Sequence, residues 1–333
     1  MSINKLMSVG ALVFALGLSL LSCEGDGKTI IRVGDTWSPT HPVARAIDEV
    51  FKPQVEALSE GMIRVEVYHS GMLGNEQTLW DSVRNGAIEM VIVGSVMNSE
   101  FRPMLLADWP FLYRDLDHAR NVWTGDFAEN FIDDFNAFFP SVKLLAVGPN
   151  SARTFTSNRS LTGVADFRGQ KFRVPANPIH TGIVTDLGAS AQVVPLNDLF
   201  SALQTGVVDG QDNGMVTVLS ENLNEVQRYL LETNHIVATM QLVVNANFFN
   251  RLSSEHQAIV MDAAHSAALW AWDKYIQSVD ADRATLVNSG IVVTPLSATD
   301  RVAIIDAIQP TLNKLYSENA WARDLTNQAR AVQ

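Results

Sequence analysis

Two arginines and one carboxamide are the residues of this chain whose types suit them to binding chemistry together. Arg153 stands in Ser151-Ala152-Arg153-Thr154-Phe155-Thr156 and Arg173 in Lys171-Phe172-Arg173-Val174-Pro175. Asn213 closes the run Leu203-Gln204-Thr205-Gly206-Val207-Val208-Asp209-Gly210-Gln211-Asp212-Asn213. Each arginine belongs to a short β-like segment, and the carboxamide follows a glycine-bounded helix end. A guanidinium presents paired N–H donors to both oxygens of a carboxylate. The set is what a site for one carboxylate needs; spacing alone leaves open whether the three meet.

Covalent chemistry has no comparable equipment. The sequence contains no G-x-S-x-G elbow, Walker loop, G-x-G-x-x-G or H-E-x-x-H. Its histidines, at 41, 69, 118, 180, 235, 256 and 265, include no pair three or four residues apart, the spacing of a compact helical metal site. Cys23 is the single cysteine and has no partner for an internal disulfide. No cofactor or metal is expected. A surface-anchored enzyme is the alternative from another class, and turnover of a bound acid would reveal it.

The chain has 333 residues, 47% apolar and 18% charged, which suits a globular protein of two domains. Its first 22 residues carry one charge, Lys5, followed by an apolar run from Leu6 to Leu21, and read as a signal peptide. The run is shorter than the roughly 20 residues that span a bilayer. Leu20-Leu21-Ser22-Cys23 resembles a bacterial lipobox, which implies acylation of Cys23. Without that leader, 23 basic residues face 36 acidic ones, a formal charge near −13. Such a field repels nucleic acid. An anion must then be bound locally, on internal arginines.

Period-two and period-3.6 patterns supply the elements that hold these residues. Strands are expected at 30–33, 63–68, 90–93 and 142–147, with helices over 43–58, 76–84 and 116–138. Pro53 should kink the first helix, and the uninterrupted Met90-Val91-Ile92-Val93 suits a strand covered on both faces. A first passage between domains is placed at Gly148-Pro149-Asn150. The second domain repeats the plan: strands at 171–174 and 191–194, helices at 178–187 and 197–205, the latter capped by Asn197, and a helix at 216–229. A strand pair at 236–238 and 241–244 returns the chain, a helix of about 30 residues from Ser253 runs along both domains as a spine, and Ile291-Val292-Val293 is a last strand. Helical segments from Ala298 onward complete the second domain. Alternating strands and helices of this kind point to a doubly wound α/β architecture.

The three motifs, with Ser70-Gly71-Met72-Leu73-Gly74 and Gly86-Ala87-Ile88-Glu89-Met90 upstream, resemble the substrate-binding proteins of tripartite ATP-independent periplasmic (TRAP) transporters, over essentially the whole mature chain. That resemblance implies a two-lobed, type II-like periplasmic binding fold with hinge strands and a long spanning helix. It implies lobe I from 23–150 plus 239–278 and lobe II from 151–238 plus 279–333. The implied activity is periplasmic capture of an organic acid by hinge closure and delivery to the small and large membrane subunits of the transporter, with the protein tethered to the membrane by its lipid anchor. A ligand-sensing lipoprotein that presents its closed form to a receptor is the alternative. The resemblance further implies that Arg173 pairs with the ligand carboxylate, that Arg153 assists and that Asn213 orients it. Where the family most often has proline after that asparagine, this chain has Gly214.

First-lobe contacts are expected from three residues. Trp37, in the loop after the first strand, offers a stacking face. Glu76, after the Leu73-Gly74 turn, offers an acceptor for ligand hydroxyls, and Ser95 follows a buried strand, where open α/β sheets hold their ligands. Arg102 and Lys52 are the candidates for a second cation, should the ligand carry a second carboxylate.

Overall fold

The computed structural model describes residues 28–333; the expected signal peptide and Cys23 lie outside the described residues. Runs of β-branched residues build a first sheet from β1 (Thr29–Gly34), β2 (Ile63–Tyr68) and β3 (Met90–Val93), joined by β4 (Val142–Ala152) and β10 (Val237–Asn245) in the order β2-β1-β3-β10-β4. β1 runs parallel to β2 and β3, whereas β10 is antiparallel to β3 and β4. All four residues of β3 are buried, as its unbroken apolar run requires. The second sheet has the order β11-β9-β5-β8-β6-β7. Its strands are β5 (Phe155–Ser157), β6 (Lys171–Val174), β7 (Ser190–Val193), β8 (Gly210–Gln211), β9 (Tyr229–Glu232) and β11 (Val292–Pro295). This is the two-lobed α/β architecture expected from the sequence.

The passage between sheets differs from expectation in a way that matters for the site. β4 does not end at Gly148-Pro149-Asn150 but stays paired with β10 as far as Ala152, because β10 is one continuous strand and not two. Its register steps from Ala238↔Ser151 to Thr239↔Pro149, so Asn150 is the unpaired extra residue of a bulge. A bulge re-aims a side chain and accommodates a proline that has no N–H to give. The chain then crosses at residues 153–154 and returns at 233–236, and the Arg153 N–H donates to the Ile236 carbonyl at 2.7 Å, tying the two passages together.

A third connection is the helix Ser254–Asn288, whose 35 residues span about 52 Å. Val260, Ala264, Ala267 and Ala271 pack in the first lobe's core, and Leu286 packs in the second's. The small residues let the helix lie close along both. Among the described residues, no helix is long and apolar enough to cross a membrane.

Several element boundaries correct the sequence reading. Pro53 does not kink the first helix at its own position; a π turn, Ile47–Phe51, precedes it, with the Lys52 N–H donating to the Ile47 carbonyl. That wider turn relieves the clash of the proline ring with the preceding turn. The segment 116–138 is two helices, Leu116–Thr124 and Asp126–Phe138, separated by an extended Gly125. Asn197 is not a cap, because the helix Leu196–Gln204 starts directly after Pro195. The helix expected over 216–229 is only Met215–Ser220, since Asn222 turns left-handed and Tyr229 opens β9. The final helix, Ala322–Ala331, docks against the aromatic segment near residue 109: Trp321 meets Trp109 edge-on, and Arg114 donates to the Arg330 and Val332 carbonyls.

Candidate functional site

Arg173 is the third residue of β6, an interior strand between β7 and β8, so its side chain leaves the sheet where no solvent follows. Pro175 ends the strand immediately afterwards. Only Nε is engaged by the protein, donating to the Val194 carbonyl at 2.7 Å; among the described residues the two terminal nitrogens bond to no protein group. Burial lowers its pKa to about 10, aided by the like charge of Arg153 and opposed by Asp212 and Glu76. A guanidinium held in that condition is stabilised by any anion it meets.

Arg153, on the passage between the sheets, is equally buried but already paired: Nη2 donates to Asp212 Oδ1 at 2.8 Å. Its Nε is buried without a partner. The other Asp212 oxygen lies 2.6 Å from His180 Nδ1. Burial alone would push the Asp212 carboxyl up, but Arg153 and His180 hold it well below the usual range.

His180 stands on the helix Pro178–Asp186, started by Asn177, whose Oδ1 accepts from the Ile179 N–H at 2.8 Å. The Asn177 amide also reaches across to the first lobe, donating to Ser95 Oγ at 2.8 Å and to Asp108 Oδ2 at 2.9 Å. Ser95 Oγ itself donates to Asp108 Oδ2. His180 Nε2 completes the link at 3.4 Å from Asp108 Oδ1. Buried as it is, the Asp108 carboxyl is brought below its ordinary value by His180, Ser95 and Arg153.

Glu76 begins the helix Glu76–Asn85, capped by Asn75, and its Oε1 accepts from the Gly94 N–H at 2.8 Å. Burial raises its pKa, with Asp108 adding to the rise and Gly94, Arg173 and Arg153 opposing it. These groups surround a cavity of about 160 Å3, closed on one side by Val194, Pro195 and Leu196. Asn150, the bulged residue of β4, also lines it, and its Oδ1 is buried without a partner. The bulge thus sets Asn150 in the cavity wall.

The structure therefore brings Arg173, Arg153, Glu76 and Ser95 to one cavity. It does not bring Asn213 or Trp37 there. The Asn213 N–H donates to Gln211 Oε1 at 2.6 Å, its carbonyl accepts from Thr154, and its amide nitrogen is buried outside the cavity without a partner. The neighbouring Asp212 faces the arginines instead. Trp37 lies 2% exposed in the first lobe's core against His41, and its backbone N–H donates to Asp35 Oδ1. Arg102 is engaged with Asn319, and neither it nor Lys52 lines the cavity.

Asp108, Asn150, Asn177, His180 and Asp212 are cavity or network residues that the sequence reading passed over. Asp212 lay inside a quoted motif, and Asn177 before Pro178 had the form of an N-cap. Asp108 and His180 carried no local signal.

A family model described as DctP, bacterial extracellular solute-binding protein, family 7, matches residues 33–319. The 2,3-diketo-L-gulonate-binding periplasmic protein YiaO of Escherichia coli K12 is 27% identical, over 91% of this chain and 92% of that one. Among solved structures, a TRAP periplasmic solute-binding protein from Haemophilus influenzae with bound L-gulonate superposes with a TM-score of 0.87 at 27% identity, covering 92% of this chain and all of the other. The sugar acid-binding protein DctPAm from Advenella mimigardefordensis, in complex with galactonate, gives a TM-score of 0.87 at 25% identity, covering 92% and 99%.

Proposed function

This chain belongs to the DctP family, the bacterial extracellular solute-binding proteins of family 7, and we propose that it captures a small organic acid between its lobes and delivers it to the membrane subunits of a TRAP transporter. The observation that carries the reading is Arg173, a buried guanidinium with two nitrogens unspent on protein, lining a cavity formed between the lobes.

The ligand we propose is a monocarboxylate rich in hydroxyl groups. Its carboxylate pairs with Arg173, beside Arg153, while Glu76 and Ser95 face the rest of the molecule from the first lobe. Glu76 and Asp108 are acceptors on the first-lobe side of the cavity, and a second carboxylate there would be set against buried carboxyl groups. L-Gulonate and galactonate in the structural relatives have this chemistry. Asn213, outside the cavity, acts through the turn that places Asp212.

Lobe closure is the proposed means of capture: ligand contacts made only in the shut form bias the open-to-closed equilibrium. The lobe division stays as proposed from the sequence, with the hinge at the two passages bonded through Arg153 and Ile236. We take the protein to bind without turnover and to be held at the membrane by acylated Cys23. Mass spectrometry tests both: the recovered ligand should be unchanged, and a Cys23→Ala chain should lose its lipid mass and its place in the membrane fraction.

A thermal-shift screen of an organic-acid library tests the binding reading. A ligand at 100 times its dissociation constant adds about 2.7 kcal/mol to stability. Hydroxylated monocarboxylates should raise the Tm and their uncharged lactones should not; a library with no stabilising acid would refute the proposal.

A further inference from the structure

Among the described residues His180 is the one cavity group that touches charged residues of both lobes. Its Nδ1 is 2.6 Å from Asp212 Oδ2 in its own lobe, and its Nε2 is 3.4 Å from Asp108 Oδ1 in the other. Each ring nitrogen thus faces a carboxylate oxygen, and only an imidazolium has a proton on both. A neutral ring would set a lone pair against a carboxylate where water does not screen it. The His180–Asp108 contact joins the first lobe to the second, whereas the His180–Asp212 contact lies within one lobe.

We propose that His180 is a positioning residue for ligand capture: its imidazolium bridges Asp108 and Asp212 across the closed cleft, so that the bridge that shuts the lobes also fixes the carboxylate that holds Arg153 beside the ligand. This rests on the cavity being the ligand site. The bridge makes three consecutive contacts, Asp108 to His180, His180 to Asp212 and Asp212 to Arg153, of which the last two preset Arg153 before the lobes meet. Asn177 and Ser95 supply the neutral half of the same junction by sharing Asp108.

The surroundings favour the charged ring. Burial pulls the His180 pKa down and Arg153 adds to that, but Asp212 and Asp108 outweigh both, so it stands above its ordinary value. His235, behind it on the return passage, is kept neutral by burial, its pKa lowered to about 3, and so adds no competing positive charge. Glu76 and Arg173, farther along the cavity, are the remaining charged groups on that side. On opening, His180 loses Asp108, so the closed form holds its proton more tightly. Closure, and with it affinity, is therefore strongest at low pH and weakens as pH rises through the closed-form value.

The test uses the tightest-binding acid from the library screen and calorimetry between pH 6 and 9 on the wild type, His180→Gln, Asp108→Asn and the double variant. The wild-type dissociation constant should rise with pH, and His180→Gln should weaken binding about tenfold or more at pH 6 and flatten the profile. The double variant should bind no worse than the weaker single one, because both remove one bridge. An unchanged pH profile in His180→Gln, or fully additive losses, would overturn the bridge. Should His180→Gln fail to fold, Asp108→Asn must flatten the same profile. If no acid binds the wild type, the ligand-site reading fails by itself, and small-angle scattering of the ligand-free chain decides the bridge. A compact fraction larger at pH 6 than at pH 9 in the wild type, and insensitive to pH in Asp108→Asn, supports it; a pH-insensitive wild type refutes it.

Discussion

Arg153 donates through Nη2 to Asp212 at 2.8 Å, whereas Arg173, lining the same cavity, spends only its Nε, on the Val194 carbonyl. The two arginines therefore do different work. Arg153 neutralises a buried carboxylate of its own lobe and is held in place by it. Among the described residues Arg173 has no such partner within bonding distance, which leaves its planar pair of terminal nitrogens without a protein bond at the cavity wall.

Removing each arginine should separate these roles in the ligand-free protein. Arg153→Ala leaves Asp212 buried with His180 as its remaining cationic contact among the described residues, and breaking a buried pair in this way costs about 3–5 kcal/mol. Arg173→Ala removes a desolvated charge with no close counter-ion, so the ligand-free Tm should fall little or rise. Thermal denaturation of both variants checks this; an Arg173→Ala chain that melts well below Arg153→Ala contradicts the division of labour.

Gly214 is fixed by space and not by backbone conformation, since a Cβ there would run into Ser151 and come within 2.5 Å of the Ala152 carbonyl oxygen. Its N–H also donates to Ser151 Oγ at 3.2 Å. A proline there would lose that bond and meet the same obstruction. Gly214→Ala should cost about 1–3 kcal/mol as an overpacked site, and by displacing Asp212 it should weaken ligand binding too. Chemical denaturation and calorimetry read the two effects; a fully stable Gly214→Ala chain with unchanged affinity would show that the loop yields freely.

Glu76 has a raised pKa because burial disfavours its charge, with Asp108 adding to the rise. A raised folded value means that its contribution to stability is full below the ordinary value of 4.5 and is lost as pH climbs through the folded value. Glu76→Gln removes that titration. The Tm of the variant should therefore gain on the wild type between pH 4.5 and 8, and a constant difference across that range would exclude Glu76 as the group responsible.

Local signals carried much of the fold. Met90-Val91-Ile92-Val93 forms a strand buried on both faces of a mixed sheet, as its unbroken apolar run suggests, and the long helix follows its cap at Ser253. Glu76 and Ser95 reached the cavity for the reasons read in the sequence, a helix start and the end of a buried strand. The network between the lobes was not legible, because its partners are far apart along the chain: Ser95 and Asn177 by 82 residues, Asp108 and Asn177 by 69, His180 and Asp212 by 32. No periodicity records such a meeting. Trp37 shows the converse limit, since a large aromatic after a strand gains more by burial in the core, here against His41, than by lining a cleft. Asn213 and Asp212 are neighbours in one motif, and adjacency alone does not reveal that Asp212 is the one paired with Arg153.

The most direct measurement is the calorimetric affinity of Arg173→Ala for the tightest-binding organic acid. Truncating one partner of a buried charge pair costs about 2–5 kcal/mol, so binding should weaken by about thirtyfold or more while the chain stays folded. A dissociation constant within about threefold of the wild type, less than 1 kcal/mol, would contradict the assignment of this cavity to a carboxylate.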